Sequence, residues 1–496
     1  MTNLDMDIPD EVHDILIIGA GISGINAAHR VREQLPHRKL TILEARSVIG
    51  GTWSFWKYPG LRSDSSLRAF GFSWHPWKHA HLIGSGPEIV EYVTEAAQAD
   101  GTFDKILFRH RVEGAEWSSE RQTWRLEVDA DGHKKIYDAN FIIGCTGYYS
   151  YEKALDSPIP GIENFAGKVV HPQWWPEDLD YNNQRVTIIG SGATAYTLLP
   201  EMAGKSKSIT MLQRSPSYVV SIPRTSSLEW FLSLILPLSW VHGITRCLDI
   251  SHEVIMTEFF LAAPRFGKWL LTWQTKQEVP KHVDVSVHFN PRYGPIQQRL
   301  CMTPDGEFFK ALERDNCEIV TDIIETVTED GILLKSGRKL ETDIIITATG
   351  MHLQLFDGLA PKVDGKPLNF GKQYSWRGCL IEGLPNFSFL IGYVTTSWTP
   401  GVDSMINMII RVIKQMELEG AASVIPVIER EKIIPHRSPV RANSNYLVKA
   451  LDRLPLATGK APFYGRQSLL VDTWALFFGS VKDGLLYGGH GSKKMN

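Results

Sequence analysis

The stretch HDILIIGAGISGINAAHRVREQL, residues 13–35, decides the fold. Ile15–Ile18 is an apolar run of strand length, and the residues after Gly21 carry the pattern of a helix. Gly19, Gly21 and Gly24 spell GxGxxG directly after the strand. The first glycine permits a tight turn. The second lets the backbone approach a pyrophosphate seated on the helix N-terminus, and the third lets helix and strand pack closely. The next strand, in KLTILEARSVIGGTW, ends at Glu44, 20 residues beyond Gly24. A carboxylate there accepts hydrogen bonds from a ribose diol and repels a 2′-phosphate. This first turn therefore suits FAD or NAD rather than NADP.

A second start lies at QRVTIIGSGATAYTLLPEMAG, residues 184–204. Gly190, Ser191, Gly192, Ala193, Thr194 and Ala195 form its turn. The following strand, SITMLQRSPSY, places Arg214 and Ser215 near where Glu44 stands in the first copy. A guanidinium matches a 2′-phosphate through paired hydrogen bonds, so this turn favours NADPH. Each copy continues into a charge-rich antiparallel excursion and a buried strand ending in Thr-Gly, at Thr146-Gly147 and Thr349-Gly350. The expected fold is α/β: two Rossmann-like dinucleotide-binding domains, for FAD and NADP, with a helical insertion in the NADP domain. The boundaries read as 1–150 for the first part of the FAD domain and 151–340 for the NADP domain, with its insertion at about 226–290. Residues 341–496 return to the FAD domain and form the C-terminal region.

The 496 residues are too many for one ordinary core, which agrees with that division. A net charge of −3 offers no basic field to a nucleic acid. The five cysteines form no CxxC and no Cys/His cluster, which argues against a disulfide framework, a metal site and a redox dithiol. The N-terminus shows no signal-peptide pattern and the C-terminus no lipidation signal, so a reducing, cytoplasmic setting is expected. The most apolar run, Trp230–Val241, is too short to span a bilayer. It reads first as a core or pocket helix, and second as an interfacial one at a membrane surface.

Two further patterns carry a resemblance. FAGKVVHPQWWP, residues 165–176, matches FxGxxxHxxxWP through Phe165, Gly167, His171, Trp175 and Pro176. GGTWSFWKYPGLRSD, residues 50–64, matches [AG]GxWxxxx[FY]P[GM]xxxD through Gly50, Gly51, Trp53, Tyr58, Pro59, Gly60 and Asp64. With the two glycine turns, the chain resembles the class B flavin-dependent monooxygenases over residues 12–412, and within them the Baeyer–Villiger monooxygenases. YPGLRSDS, QRSPSYVVSIP, QRLCMTPDGEFF and GYVTTSWT are most similar to the short bacterial, ethionamide-activating branch.

The resemblance implies FAD, NADPH and O2, with a C4a-peroxyflavin attacking a hydrophobic ketone to give an ester or lactone. It implies that Arg299 keeps that peroxide anionic and stabilises the later oxyanion, with Asp64 orienting Arg299. It also implies Ser23 at the first pyrophosphate, Thr52 and Trp53 along the flavin, and Val112 at the adenine. Arg62, Ser63 and Asp64 would face the nicotinamide, and His171 would serve the linker between the domains. One departure is Gln298, where many Baeyer–Villiger enzymes have a lysine for the 2′-phosphate; Arg214 is left as the main phosphate partner. The competing reading is an N- or S-oxygenating flavin monooxygenase of the same architecture, which would take a thioether and would not need Arg299 with Asp64. A disulfide reductase shares the plan but needs the missing dithiol. A non-catalytic flavoprotein predicts a broken turn or a lost Arg299, and neither occurs.

Overall fold

The computed structural model describes residues 11–429, 444–465 and 468–489. The Glu11–Ile18 strand runs through the middle of the first sheet, so Ile15, Leu16 and Ile17 are wholly buried. A strand covered on both faces needs apolar residues at consecutive positions, and ILII provides them. On one side it pairs in parallel with Leu40–Glu44, which pairs in parallel with Ile106–Phe108. On the other it pairs in parallel with His133–Gly144. That 12-residue strand changes partner along its length. Its first part closes an antiparallel meander with His110–Ser118 and Thr123–Ala130, and its end pairs in parallel with Phe387–Phe389.

The second sheet has five strands, all parallel, in the order Cys317–Thr321, Ser208–Gln213, Arg185–Ile189, Ile344–Thr347, Lys168–Val170. A smaller antiparallel excursion, Ile324–Thr328, Gly331–Leu334 and Lys339–Glu341, repeats the meander of the first unit. The chain thus builds one α/β plan twice. Tyr149–Ala154 leads out of the first unit and Met351–Leu353 leads back, and the two pair antiparallel. After the return, the Trp398–Glu419 helix lies on Ile22–Gln34. Asn26 Nδ2 donates to Asp403 Oδ1 at 2.9 Å, and Gln34 Nε2 to Asn407 Oδ1 at 2.7 Å.

The helical insertion comprises Ser227–Ser233, Leu238–Ala262 and Pro264–Glu278. The expectation that Trp230–Val241 is buried fails here. Trp230 is 66% exposed and Ile235 68%; of this run only Val241 is fully buried. The reason is that the long helix docks through polar side chains. Arg246 donates to the carbonyls of Arg68, Ala69 and Gly71 at 2.6, 3.1 and 2.7 Å. Asp249 accepts from the Ser66 hydroxyl at 2.6 Å, and Glu253 from the Ser397 N–H and hydroxyl at 2.8 and 2.7 Å. These partners belong to the first unit, so the insertion leaves the second unit and straps onto the first. Among the described residues no helix is long and apolar enough to cross a membrane.

Trp124 tests the meander. It is fully buried between Trp117 and Phe387, with ring centroids 5.8 and 5.4 Å away, and its Nε1 donates to the Pro385 carbonyl. Trp124→Ala is expected to destabilise the first unit by about 3–5 kcal/mol. A urea transition followed by near-UV dichroism should move to lower denaturant; an unshifted transition would contradict this packing.

Candidate active site

Both glycine turns open onto one cavity of about 1620 Å³. A site for one drug-sized ligand is roughly 300–1,000 Å³, so this cavity has room for two extended nucleotides. Gly24 is required sterically, because a Cβ there would sit 1.9 Å from the Gly19 carbonyl oxygen. Gly190 has φ +150°, and a Cβ on it would meet the Ala348 carbonyl oxygen at 2.2 Å. The helices that follow, Ile22–Gln34 and Ala193–Ala203, begin at Gly21 and Gly192 with no side-chain cap. Their first N–H groups are therefore left for an anion in the cavity. No atom lies within 4 Å of where a Gly192 Cβ would be, so the second turn faces open space.

The expected contact residues gather around this cavity with differing roles. Glu44 is buried and accepts from the Ala20 and Arg46 N–H groups at 2.8 and 2.9 Å. Burial pushes its carboxyl above the ordinary value, while those N–H bonds and the Arg46 charge pull it back. The Arg46 guanidinium donates to the Gly51 carbonyl and to Ser54, which fixes the short Thr52–Phe55 helix beside Glu44. Trp53 then stands edge-on to Phe70 at 5.6 Å. Val112 is buried at an irregularity of its strand and lines the cavity. Ser23 accepts from Trp398 Nε1 at 2.8 Å. Ser63 is buried and donates to the Ser65 carbonyl, and Arg62 forms an ion pair with Glu307. Ser191, Ala193 and Thr194 line the second turn, and Arg214 and Ser215 lie exposed at the end of Ser208–Gln213. Among the described residues no carboxylate pairs with Arg214. Gly24 and Ala195 are packing positions off the cavity wall.

Arg299 and Asp64 come together from distant sequence, with Nε 3.3 Å from Oδ2. The Arg299 side chain is 42% accessible, and the space it reaches is the cavity. Burial works against its charge, but Asp64, with Tyr148 and Tyr446, more than offsets this and holds the guanidinium above its ordinary value. Burial pushes the Tyr148 and Tyr446 phenols upward, so both stay protonated beside the cation. Tyr148 stacks on Trp398 at 5.2 Å. Sequence reasoning missed Tyr148, Tyr446 and Trp398. The only signal was the aromatic run after Thr146-Gly147.

The residues of FAGKVVHPQWWP divide differently. Lys168–Val170 is the edge strand of the second sheet. Phe165 packs on the core under the second excursion, and a Cβ on Gly167 would strike the Asp343 carbonyl oxygen at 2.4 Å. Trp175 packs on the core of the second sheet. Only His171 of the fixed positions lines the cavity. Between them, Gln173 Nε2 donates to the Ser150 carbonyl at 2.7 Å and Trp174 Nε1 to the Tyr151 carbonyl at 3.0 Å, which fastens the outgoing crossing to the second unit.

Comparison with known proteins places this geometry. Residues 12–357 match the family described as flavin-binding monooxygenase-like. The chain is 37% identical over 480 residues to the FAD-containing monooxygenase EthA of Mycolicibacterium smegmatis, covering 96% of this chain and 97% of that protein. It is 38% identical over 476 residues to the probable FAD-binding monooxygenase AlmA of Acinetobacter baylyi, covering 96% and 95%. Among solved structures, the fold matches an NADP-bound steroid monooxygenase with a TM-score of 0.76, 21% identity and coverage of 96% and 99%. An open crystal structure of cyclohexanone monooxygenase matches with a TM-score of 0.74, 19% identity and coverage of 97% and 100%.

His171 gives a pH test. Burial lowers its imidazole below the ordinary 6.5. The unfolded chain therefore takes the proton before the folded one, and the stability that neutral His171 permits is lost as pH falls through that value. His171→Gln should flatten the fall in melting temperature between about pH 7 and pH 5. Parallel curves for both proteins would show that the ring is solvated.

Proposed function

The chain belongs to the flavin-binding monooxygenase-like family, and we propose that its reaction is the insertion of one oxygen atom of O2 beside the carbonyl of a hydrophobic ketone, giving an ester or lactone. The carrying observation is the Arg299–Asp64 pair on the wall of the cavity that both glycine turns share. In this reading FAD sits at the Gly19 turn, with its ribose on Glu44 and its pyrophosphate on the uncapped N-terminus of Ile22–Gln34. NADPH sits at the Gly190 turn with its 2′-phosphate on Arg214. Reduced FAD supplies the activated oxygen when bound.

The chain's own task is then the management of charge. Insertion next to a carbonyl needs an anionic oxygen donor, and it places negative charge on the former carbonyl oxygen. Arg299 remains cationic at any working pH. Asp64 engages its Nε, which leaves the terminal amino groups for the reacting oxygens. Tyr148 and Tyr446, both protonated, line the same cavity. Trp53, Tyr148 and Trp398 supply aromatic wall, which suits an apolar ketone.

Arg299→Ala should lower ester formation by ~10²–10³-fold while leaving flavin reduction by NADPH in place. The check is product mass spectrometry with linear, cyclic and aryl ketones beside an aryl methyl sulfide. Sulfoxide alone, unchanged in the variant, would move the protein to the heteroatom oxygenases. Arg214→Ala removes a charged hydrogen-bond partner worth about 1.5–3 kcal/mol, so KM for NADPH should rise ~10–100-fold with KM for NADH unchanged. Equal changes for both nucleotides would remove Arg214 from the phosphate.

A further inference from the structure

The helical insertion is amphipathic in an inverted sense. Its polar residues face the protein: Glu229 pairs with Arg68 and with His242, and Arg246 and Glu253 hold the first unit. Its large apolar residues face outward. Trp240, Ile244, Leu248 and Ile255 are exposed at offsets of four, four and seven, one stripe of the long helix. Phe266, Trp269 and Trp273 are 52–57% exposed at offsets of three and four on the next helix. Phe259 joins the two helices through its ring, 5.8 Å from Phe266.

An outer face of this size calls for a covering partner, because monomers rarely leave a contiguous apolar patch larger than a few hundred Å². Charge decides which partner. The run Trp230–Val241 contains no charged residue. The Pro264–Glu278 helix carries Arg265, Lys268 and Lys276, and its single acid, Glu278, is turned inward onto the Ser221 hydroxyl. Arg265 and Lys276 are exposed beside the aromatic stripe. A second copy packed on this face about a twofold axis would bring two patches of the same positive sign together. An anionic bilayer complements them, and tryptophan rings suit the boundary between headgroups and acyl chains. Among the described residues no helix is both long and apolar enough to cross.

We propose that the outer face of the insertion docks on an anionic lipid surface. Trp230, Leu234, Ile235, Trp240, Trp269 and Trp273 enter the headgroup–acyl boundary, and Arg265 and Lys276 meet the headgroups. The proposal is independent of which substrate the cavity takes.

The test is flotation of the FAD-loaded full chain with vesicles of phosphatidylcholine containing phosphatidylglycerol, and with phosphatidylcholine alone. The expected result is binding to the anionic vesicles, weakened by salt, with tryptophan emission shifted to the blue. Two double variants, Trp230→Glu with Trp240→Glu and Trp269→Glu with Trp273→Glu, should each reduce binding on the order of tenfold or more. Flavin content and NADPH-driven oxygen uptake without vesicles should be unchanged in both. Three results would overturn the proposal. The protein could remain unbound to every vesicle. Both variants could bind as wild type does, which would move the contact elsewhere, such as to Trp474 and Phe477 on the Leu469–Phe478 helix. Or a lipid-free dimer could dissociate in the variants, which would assign the face to a second copy.

Discussion

Two backbone crossings lie side by side where the chain passes between its two units. Tyr149–Ala154 and Met351–Leu353 pair antiparallel, and Trp56, Leu447 and Ala450 pack around them. Because the chain leaves and returns at one place, the two glycine turns face a common cavity. The same local constraint appears in both copies. The first glycine of each turn lies against the carbonyl that precedes a Thr-Gly: Gly19 on Cys145 and Gly190 on Ala348. A side chain at either glycine would push the turn off the neighbouring strand end, and the cavity floor would be lost in that half.

Within the cavity, charge is distributed unevenly. Glu44 stands at the first turn and Arg214 at the second, while Arg299 and Asp64 pair on the wall they share. Two unit charges about 4 Å apart interact by roughly 4 kcal/mol at an effective dielectric of 20. A carboxylate beside the guanidinium is therefore enough to keep a cation where burial alone would resist it. Aromatic walls beside that cation strengthen its field on whatever lies in front of it.

Much of this was legible from sequence, and the reasons are local. GxGxxG, the strand Ile15–Ile18 before it and Glu44 lie within 30 consecutive residues, so spacing alone reports their geometry. The Thr-Gly ends repeat because the unit repeats. Arg299 and Asp64 were legible only through the family resemblance, since nothing local links residues so far apart. What stayed hidden depends on long-range contact. Trp398 reaches Ser23, Gln173 reaches Ser150, and no periodicity announces either. The Trp230–Val241 run was misread for a related reason. Apolar composition usually signals burial, but which face of a helix meets the protein is set by the surface it docks on. Here Arg246 and Glu253 satisfy carbonyls and hydroxyls of the first unit, and that decided the orientation.

The strap formed by the insertion also limits how the two halves can move. It starts and ends in the second unit, where Val219–Ile222 and Cys301–Pro304 pair in parallel, and it is bolted to the first unit through Arg246. With the paired crossings as a second attachment, a clamshell opening would have to tear the guanidinium from three carbonyls. Each full charged hydrogen bond lost that way is worth about 1.5–3 kcal/mol. The Arg62–Glu307 pair and the bonds of Gln173 and Trp174 to the outgoing crossing add further ties between the halves. The cavity wall is therefore braced on several sides, and the nucleotide sites share one stiff frame.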